Sequence, residues 1–276
     1  MRNIDRETVQ GFGEEWSRFD QSALGADERR AMFDEYFSLF PWASLAPNAV
    51  GFDAGCGSGR WAALVAPRVG TLYCVDASEK ALAVARTALA DQPNAQFMLA
   101  SVQDLPLDDA SMDFGYSLGV LHHVPDTQGA LAACVSKLKP GAPFLVYLYY
   151  AFDNRPRWFR VIWRAADVVR HVVSRLPTWP RYAASQLIAA VAYWPLARIS
   201  RLLERVGVHA SNMPLYAYRH RSLYSMRTDA LDRFGTRLEQ RFTRAQITRM
   251  MGEAGLHSIS FREDAPYWCA IGYRAV

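Results

Sequence analysis

The chain has 276 residues, of which 51% are apolar and 21% are charged, and its net charge is +4. This composition supplies a globular core and excludes wholesale disorder. The length fits one core domain with an elaboration better than two full domains.

Several features predict where the protein works. The four cysteines, Cys56, Cys74, Cys134 and Cys269, are widely spaced and form no C-x-x-C pair, which favours buried free thiols in a reducing compartment and predicts no metal site. The first residues lack the apolar stretch of a signal peptide, and no run of about 18 apolar residues predicts a spanning helix. We therefore expect a cytoplasmic protein, with peripheral contact to the inner face of a membrane left open.

The charge is distributed unevenly along the chain. Residues 151–240 hold fifteen arginines, no lysine and six acids, a net charge of +9, so the remainder carries −5. An asymmetry of this size marks a boundary in the chain.

The pattern of apolar and polar residues along the chain predicts three structural parts. Residues 1–48 mix acids and aromatics at helical spacing and are expected to form an N-terminal helical cap. Residues 49–150 alternate apolar strands with helices, the strands falling at 50–54, 71–75, 95–99, 112–117 and 144–150. The alternation stops over 151–240 and resumes over 241–276 with a helix at 244–254 and strands at 257–262 and 267–273. This pattern predicts a parallel α/β core, 49–150 with 241–276, interrupted by an arginine-rich helical insertion.

A glycine-rich loop follows the first strand. It reads Asp53-Ala54-Gly55-Cys56-Gly57-Ser58-Gly59, and a loop at this place in an open parallel sheet predicts a nucleotide-type site. The dinucleotide fingerprint G-x-G-x-x-G has its third glycine one residue later and places pyrophosphate on the helix. Asp53 would repel a pyrophosphate but suits a ligand with an ammonium group and no phosphate. S-adenosylmethionine has both properties and adds a sulfonium.

Two further acids support an adenosine. Asp76 ends the second strand, 23 residues after Asp53, where a carboxylate can accept from both ribose hydroxyls. Asp104 follows the third strand and can accept from the adenine amino group. Three acids at the ends of three successive strands are difficult to explain structurally, because a buried carboxylate without a partner is costly.

The segments DAGCGSGR, CVDASEKAL, SVQDLPLDDASMDFGYSLGVLHHVPD and KLKPGAPFLVYLY resemble successive motifs of the class I S-adenosylmethionine-dependent methyltransferases, in their broad small-molecule branch. TRAQITRMMGEAGL resembles the last helix of that family more weakly. The resemblance implies a Rossmann-like seven-stranded sheet, mostly parallel with an antiparallel last strand, and helices on both faces.

The resemblance also implies roles for residues. Asp53 and Gly55 would face the methionyl end of the cofactor, Asp76 the ribose, and Gln103 and Asp104 the adenine. Ser117 and Leu118 would line the site by their backbone. The expected cofactor set is completed by Cys56, Gly57, Gly59 and Ala77.

His122 and His123 follow the fourth strand, beside the expected methyl group, and are the candidates for a general base towards a hydroxyl acceptor. Spacing does not decide between them, and a structural role for either stays open. The strand ends in YSLG and not in the N-P-P-Y of enzymes that methylate flipped bases, which disfavours nucleic-acid bases as acceptors.

The insertion predicts basic amphipathic helices. Three interpretations stay open: a helical lid with its arginines in solvent, a pocket for an apolar or anionic substrate, and attachment to an anionic membrane surface. Because it follows the fifth strand, we expect it to overhang the carboxyl ends of the strands and select the substrate. Its candidate substrate contacts are Tyr218, Arg219, His220, Tyr224 and Arg227.

The sequence thus predicts transfer of a methyl group from S-adenosylmethionine to a hydroxyl, or less favourably an amine or carboxylate, of a small-molecule or lipid-linked acceptor. One alternative is a nucleic-acid methyltransferase that holds phosphates with the basic insertion. Another is a membrane-docked binding module with a vestigial cofactor site. The oligomeric state is left open.

Overall fold

A computed structural model describes residues 2–208 and 210–276 and divides the chain into two compact units. The first, called here the core unit, runs up to Gln21 and includes Arg29–Ala151 and Leu238–Val276. The second, the helical unit, comprises Ser22–Glu28 and Phe152–Arg237. The division predicted from the sequence, with a cap over 1–48 and an insertion over 151–240, stays a prediction.

One seven-stranded sheet organises the core unit. Its order is β3-β2-β1-β4-β5-β7-β6, and β7 pairs antiparallel with both of its neighbours. The predicted mostly parallel sheet with an antiparallel last strand is therefore confirmed. The strands are β1 (Val50–Ala54), β2 (Thr71–Asp76), β3 (Ala95–Leu99), β4 (Phe114–Leu118), β5 (Pro143–Tyr147), β6 (Leu256–Phe261) and β7 (Cys269–Arg274).

Two strands are shorter than the apolar runs predicted. The fifth was expected to reach Tyr150 and the last to begin at Tyr267, but β5 ends at Tyr147 and β7 begins at Cys269. Those two residues face each other in the ladder. Because the pairing ends there, apolar residues beyond it belong to loops, and composition alone does not show where a partner strand stops.

Helices cover both faces of the sheet. In chain order they are α1 (Arg6–Arg18), α2 (Ala26–Tyr36), α3 (Ala62–Val65), α4 (Glu79–Ala88), α5 (Thr127–Lys137) and α10 (Arg244–Glu253). One face carries Leu131, Val135 and Met251, and the other carries Phe33 and Phe37 of the N-terminal region. Burial on both sides explains why β4 is buried at every position and β5 at all but its last.

The helical unit has its own small core. Its helices are α6 (Arg157–Val173), α7 (Thr178–Ile188), α8 (Trp194–Arg205) and α9 (Leu223–Gly235), with a π-helical turn over Ala189–Tyr193. Tyr193, Met226, Ala230 and Phe234 are buried together. Within the described part of the chain, every helix is too short or too polar to cross a bilayer.

Candidate cofactor and catalytic site

Three glycines shape the loop after β1. Gly55, Gly57 and Gly59 have φ angles of +83°, +54° and +75°, in the left-handed region that favours glycine. A Cβ at Gly55 would lie 2.4 Å from the Val120 side chain, and one at Gly59 would lie 2.5 Å from that of Leu89. The first contact places the turn after β4 directly against the loop.

Asp76 joins this loop to the end of β2. Its Oδ2 accepts a hydrogen bond from the Gly57 N–H at 2.9 Å, and its Oδ1 accepts from the Ser78 N–H at 2.8 Å. Burial raises the pKa of Asp76, although these backbone donors and that of Ala77 lower it. Each carboxylate oxygen keeps a lone pair, so Asp76 can hold the loop and still accept from two ribose hydroxyls.

Asp53 is a buried acid with unused hydrogen-bonding capacity. Its side chain is 1% exposed, and its Oδ2 has no hydrogen-bond partner among the residues that the structure describes. In the sheet it lies opposite Cys74 on β2 and Tyr116 on β4. Burial raises the pKa of Asp53 to about 8, with Asp76 also raising it, while the Tyr116 hydroxyl and Arg60 lower it. An orphaned buried carboxyl is costly, and a ligand ammonium would supply the missing partner.

The acid expected to bind adenine is already paired. The Arg2 N–H donates to Asp104 Oδ2 at 2.6 Å and its Nε donates to Oδ1 at 2.7 Å. These contacts lower the pKa of Asp104. The Asn3 amide donates to Gln103 Oε1 at 3.2 Å. The N-terminal segment therefore binds the same two side chains that were predicted to contact the adenine.

Helix α1 continues this coverage across the loop. A Cβ at Gly57 would lie 2.9 Å from the indole nitrogen of Trp16, and the rings of Phe12 and His123 are 4.9 Å apart between centroids. Arg2, Asn3 and Phe12 were not predicted to lie at the site. Their partners are about 100 residues away in the chain, so no local pattern could have indicated these contacts.

The two histidines lie on a 3-10 turn, Leu121–His123, directly after β4. His122 is fully buried and its ring stacks on Tyr149 with centroids 3.8 Å apart. Neither of its ring nitrogens has a hydrogen-bond partner within the described chain. Burial lowers the pKa of His122 well below its usual value, and the neighbouring His123 and Arg241 add to this. His122 is therefore neutral at physiological pH.

His123 has a defined orientation. Its Nδ1 is 2.7 Å from the carbonyl oxygen of Leu238. Because a carbonyl oxygen only accepts, Nδ1 carries the proton in the neutral ring and Nε2 is the basic nitrogen. The segment after Leu238 also holds the turn, since the Gln240 N–H donates to the His122 carbonyl at 3.0 Å and its Nε2 donates to Val124 at 2.7 Å.

Three further predicted cofactor residues, Ser117, Leu118 and Cys56, lie on β4 and in the glycine loop. The Ser117 hydroxyl donates to the Ala54 carbonyl at 2.7 Å and so ties β4 to β1. Leu118 ends β4 and is buried. A hydrogen bond to Cys74 and burial raise the pKa of the Cys56 thiol well above its usual range, so that thiol is a packed, inert group.

The five predicted substrate residues lie in the helical unit, and several are engaged there. Glu204 accepts from Arg219 Nε at 2.9 Å and lies 2.8 Å from His220 Nε2. Arg227 donates to Gln186 at 2.5 Å. The ring of Tyr218 is 5.3 Å from that of Tyr193. A substrate role for these four residues and for Tyr224 stays a prediction.

Comparisons with known proteins identify the type of domain that contains these residues. Residues 52–146 match the family model described as a methyltransferase domain. A ubiquinone biosynthesis O-methyltransferase of Xanthomonas campestris pv. campestris is 28% identical over 181 residues, which cover 59% of this chain and 74% of the relative. A protein of the same name from Pseudomonas syringae pv. tomato is 25% identical over 234 residues, covering 76% of this chain and 96% of the relative.

Solved structures share the fold. A structure from Thermotoga maritima, described as an S-adenosylmethionine-dependent methyltransferase and possible histamine N-methyltransferase, superposes with a TM-score of 0.50 at 14% identity. The match covers 96% of this chain and all of that one. This chain is thus an enzyme of the methyltransferase class with the Rossmann-like fold. Its residues 52–146 carry a methyltransferase domain, and the chain is an S-adenosylmethionine-dependent methyltransferase, as the sequence motifs indicated.

Proposed function

We propose that this enzyme methylates a hydroxyl group of a small, apolar or lipid-linked acceptor, with a histidine of the Leu121–His123 turn as general base. The observation that carries the proposal is the buried His122–His123 pair, which follows directly after Val120, the residue that packs against Gly55 of the glycine loop. Two relatives are named ubiquinone biosynthesis O-methyltransferases, which supports a hydroxyl and an acceptor related to a lipid quinone.

The residues of the core unit fit the cofactor. Asp53 would bind the ammonium group, Gly55, Cys56, Gly57 and Gly59 would let the methionyl part approach the backbone, and Asp76 with Ala77 would hold the ribose. When bound, S-adenosylmethionine supplies a methyl group on a sulfonium, which is a good leaving group. Much of the catalysis can then come from positioning and from excluding water.

Binding of the adenine requires either that the N-terminal segment moves or that it shares its side-chain partners with the adenine. Gln103 and Asp104 would accept from the adenine, yet Asn3 and Arg2 bind them in this structure. Ser117 and Leu118 would contribute backbone groups beside the methyl group. The N-terminal segment is therefore proposed to close over the adenine or to move aside when the cofactor enters.

A hydroxyl must lose its proton as it attacks, so a base adds to the rate. We propose His123 as the base, because the Leu238 carbonyl fixes its tautomer with Nε2 as acceptor. Burial lowers the pKa of His122 and so makes it a poor base, and its proposed role is to orient the turn by stacking on Tyr149. An imidazole base suits a phenolic hydroxyl better than an alkyl alcohol, because a phenol is the stronger acid.

The test is release of S-adenosylhomocysteine with a panel of hydroxyl-bearing aromatic acceptors of increasing apolar chain length, followed by mass spectrometry of the product. His123→Gln should lower kcat/KM at least about a hundredfold for a hydroxyl acceptor while cofactor affinity stays unchanged. His122→Gln is the matched variant and should retain more activity. Equal activity of the wild type and His123→Gln, or product methylated on nitrogen only, would contradict the proposal.

A further inference from the structure

Helix α6 exposes a continuous apolar arc. At 100° per residue, its exposed large side chains fall within about 120° of the helix circumference. Their exposed fractions range from 46% to 65%. The arc, called here the α6 face, consists of Trp158, Val161, Ile162, Val168, Val169 and Val172.

The other side of α6 packs within the helical unit. Val173 is buried in the small core of that unit. Arg170 is also buried: its Nε donates to Asp167 at 2.6 Å and its Nη1 donates to the carbonyls of Thr236 and Arg237 at 3.1 Å. The helix is thus anchored by a face different from the exposed one, so the α6 face is available to a partner.

One edge of the α6 face is basic. Arg157, Arg160 and Arg164 are exposed and fall next to the arc on the helix circumference. No ion pair in the described part of the chain involves these three arginines. Residues 152–237 hold fifteen arginines against five acids, a net charge of +10. The surface is therefore apolar at its centre and strongly positive at its edge.

Exposed apolar side chains are concentrated in this unit. Further along it, Trp179 is 73% exposed, Val191 64% and Leu202 60%. Among the described residues of the core unit, Leu99 and the terminal Val276 are the large apolar side chains that reach comparable exposure. Scattered exposure is normal in a globular protein, but a concentration of this kind indicates an interaction surface.

We propose that the α6 face docks on the surface of a bilayer containing anionic phospholipids. The valines and Trp158 would enter the boundary between headgroups and acyl chains, and the arginine edge would bind the phosphates. The charge selects this partner. A second copy would bring together two arginine edges and two segments of net charge +10 (residues 152–237 of each copy). A polynucleotide would leave the apolar centre of the face in water. The proposal does not depend on the identity of the acceptor.

The test is flotation of the full chain with vesicles of phosphatidylcholine, with and without 30% phosphatidylglycerol. We expect the wild type to float with the anionic vesicles and to stay largely unbound with the neutral ones. Val161→Ser, Val168→Ser and Val172→Ser combined should lower the partition coefficient at least about tenfold. All three residues are more than 60% exposed, so an unchanged melting temperature and unchanged S-adenosylhomocysteine affinity would show that the variant is folded.

A second set of variants, in which arginines are replaced by glutamates, tests the role of the positive charge in the same flotation assay. Arg160→Glu with Arg164→Glu should lower binding to anionic vesicles at least about twentyfold, since each basic residue near such a surface contributes about fivefold. Arg30→Glu with Arg249→Glu makes the same change in net charge on exposed positions of the core unit and should bind within threefold of the wild type.

Three results would overturn the proposal. The first is a wild type that does not float with anionic vesicles. The second is equal loss of binding in the control pair. The third is a concentration-dependent dimer in sedimentation that the triple serine variant abolishes, which would assign the face to a second copy. Because cofactor affinity is measured separately, failure here leaves the methyltransferase function untouched.

Discussion

The raised pKa of Asp53 has a measurable consequence for cofactor binding. With a pKa of about 8 in the free protein, about nine-tenths of the Asp53 side chains are protonated at pH 7. An ammonium group beside this carboxyl favours its ionised form. Binding at pH 7 should therefore release about 0.9 proton, and affinity should rise about tenfold between pH 6 and pH 7 and level off above pH 8.

The assay is calorimetry at pH 7 in buffers with different ionisation enthalpies, since the dependence of the observed heat on the buffer gives the number of protons released. S-adenosylhomocysteine is the suitable ligand because it keeps the ammonium group and undergoes no turnover. Asp53→Asn removes the titrating group, so proton release should fall to near zero and affinity should be flat from pH 6 to pH 7.

Asp109→Asn is the matched control. Its side chain is 71% exposed and pairs with Lys137 at the surface, so the variant should release the same number of protons as the wild type. Wild-type binding without proton release at pH 7, or undiminished release in Asp53→Asn, would refute the assignment of the ammonium to Asp53.

Two further predictions concern His122 and Arg2, which lie near the proposed cofactor site. The pKa of His122 lies well below its usual value in the folded protein, while the unfolded chain restores the usual value of about 6.5. The folded state is therefore stabilised fully above about pH 6.5, and this stability is lost as the pH falls below that value. Chemical denaturation of His122→Gln should show a weaker loss of unfolding free energy between pH 6.5 and pH 5, and an identical pH dependence would contradict this. Arg2→Ala should tighten S-adenosylhomocysteine binding by a few-fold, since Arg2 occupies the carboxylate of Asp104; weaker binding would show that Arg2 helps to hold the adenine instead.

Local sequence patterns predicted much of the core unit. Strands β1 and β3 have the bounds that apolar runs predicted, and the sheet has the predicted antiparallel strand. Such features depend on neighbouring residues: apolar runs for buried strands, glycines for positive φ, and acids at strand ends. Asp53 and Asp76 were predicted in the same way, and the structure places both beside the glycine loop, while their roles towards the cofactor stay predictions.

Long-range contacts could not be predicted from these patterns. The Leu238 carbonyl that fixes the tautomer of His123 is 115 residues away in the chain. Arg2 reaches Asp104 across 102 residues. Neither partner has a distinctive residue type or spacing, because a backbone carbonyl carries no sequence signal and an arginine near the N-terminus is common.

The insertion shows a different limit. Its basic amphipathic character was visible in the sequence, and the helices are present in the structure. Periodicity gives the apolar side of a helix but not whether that side is buried. For α6 the buried stripe and the exposed arc are adjacent, and only the structure, in which Val161 and Val168 are exposed, separates them.

The central claim is that the loop after β1 and the carboxylate of Asp76 form the cofactor site. Calorimetry of S-adenosylhomocysteine with the wild type and with Asp76→Ala tests this most directly. The substitution would remove the two proposed hydrogen bonds to the ribose together with those that Asp76 accepts from the Gly57 and Ser78 N–H groups. Affinity should therefore fall at least about a hundredfold while the thermal melt shows a folded protein. Equal affinity in the two proteins would contradict the account.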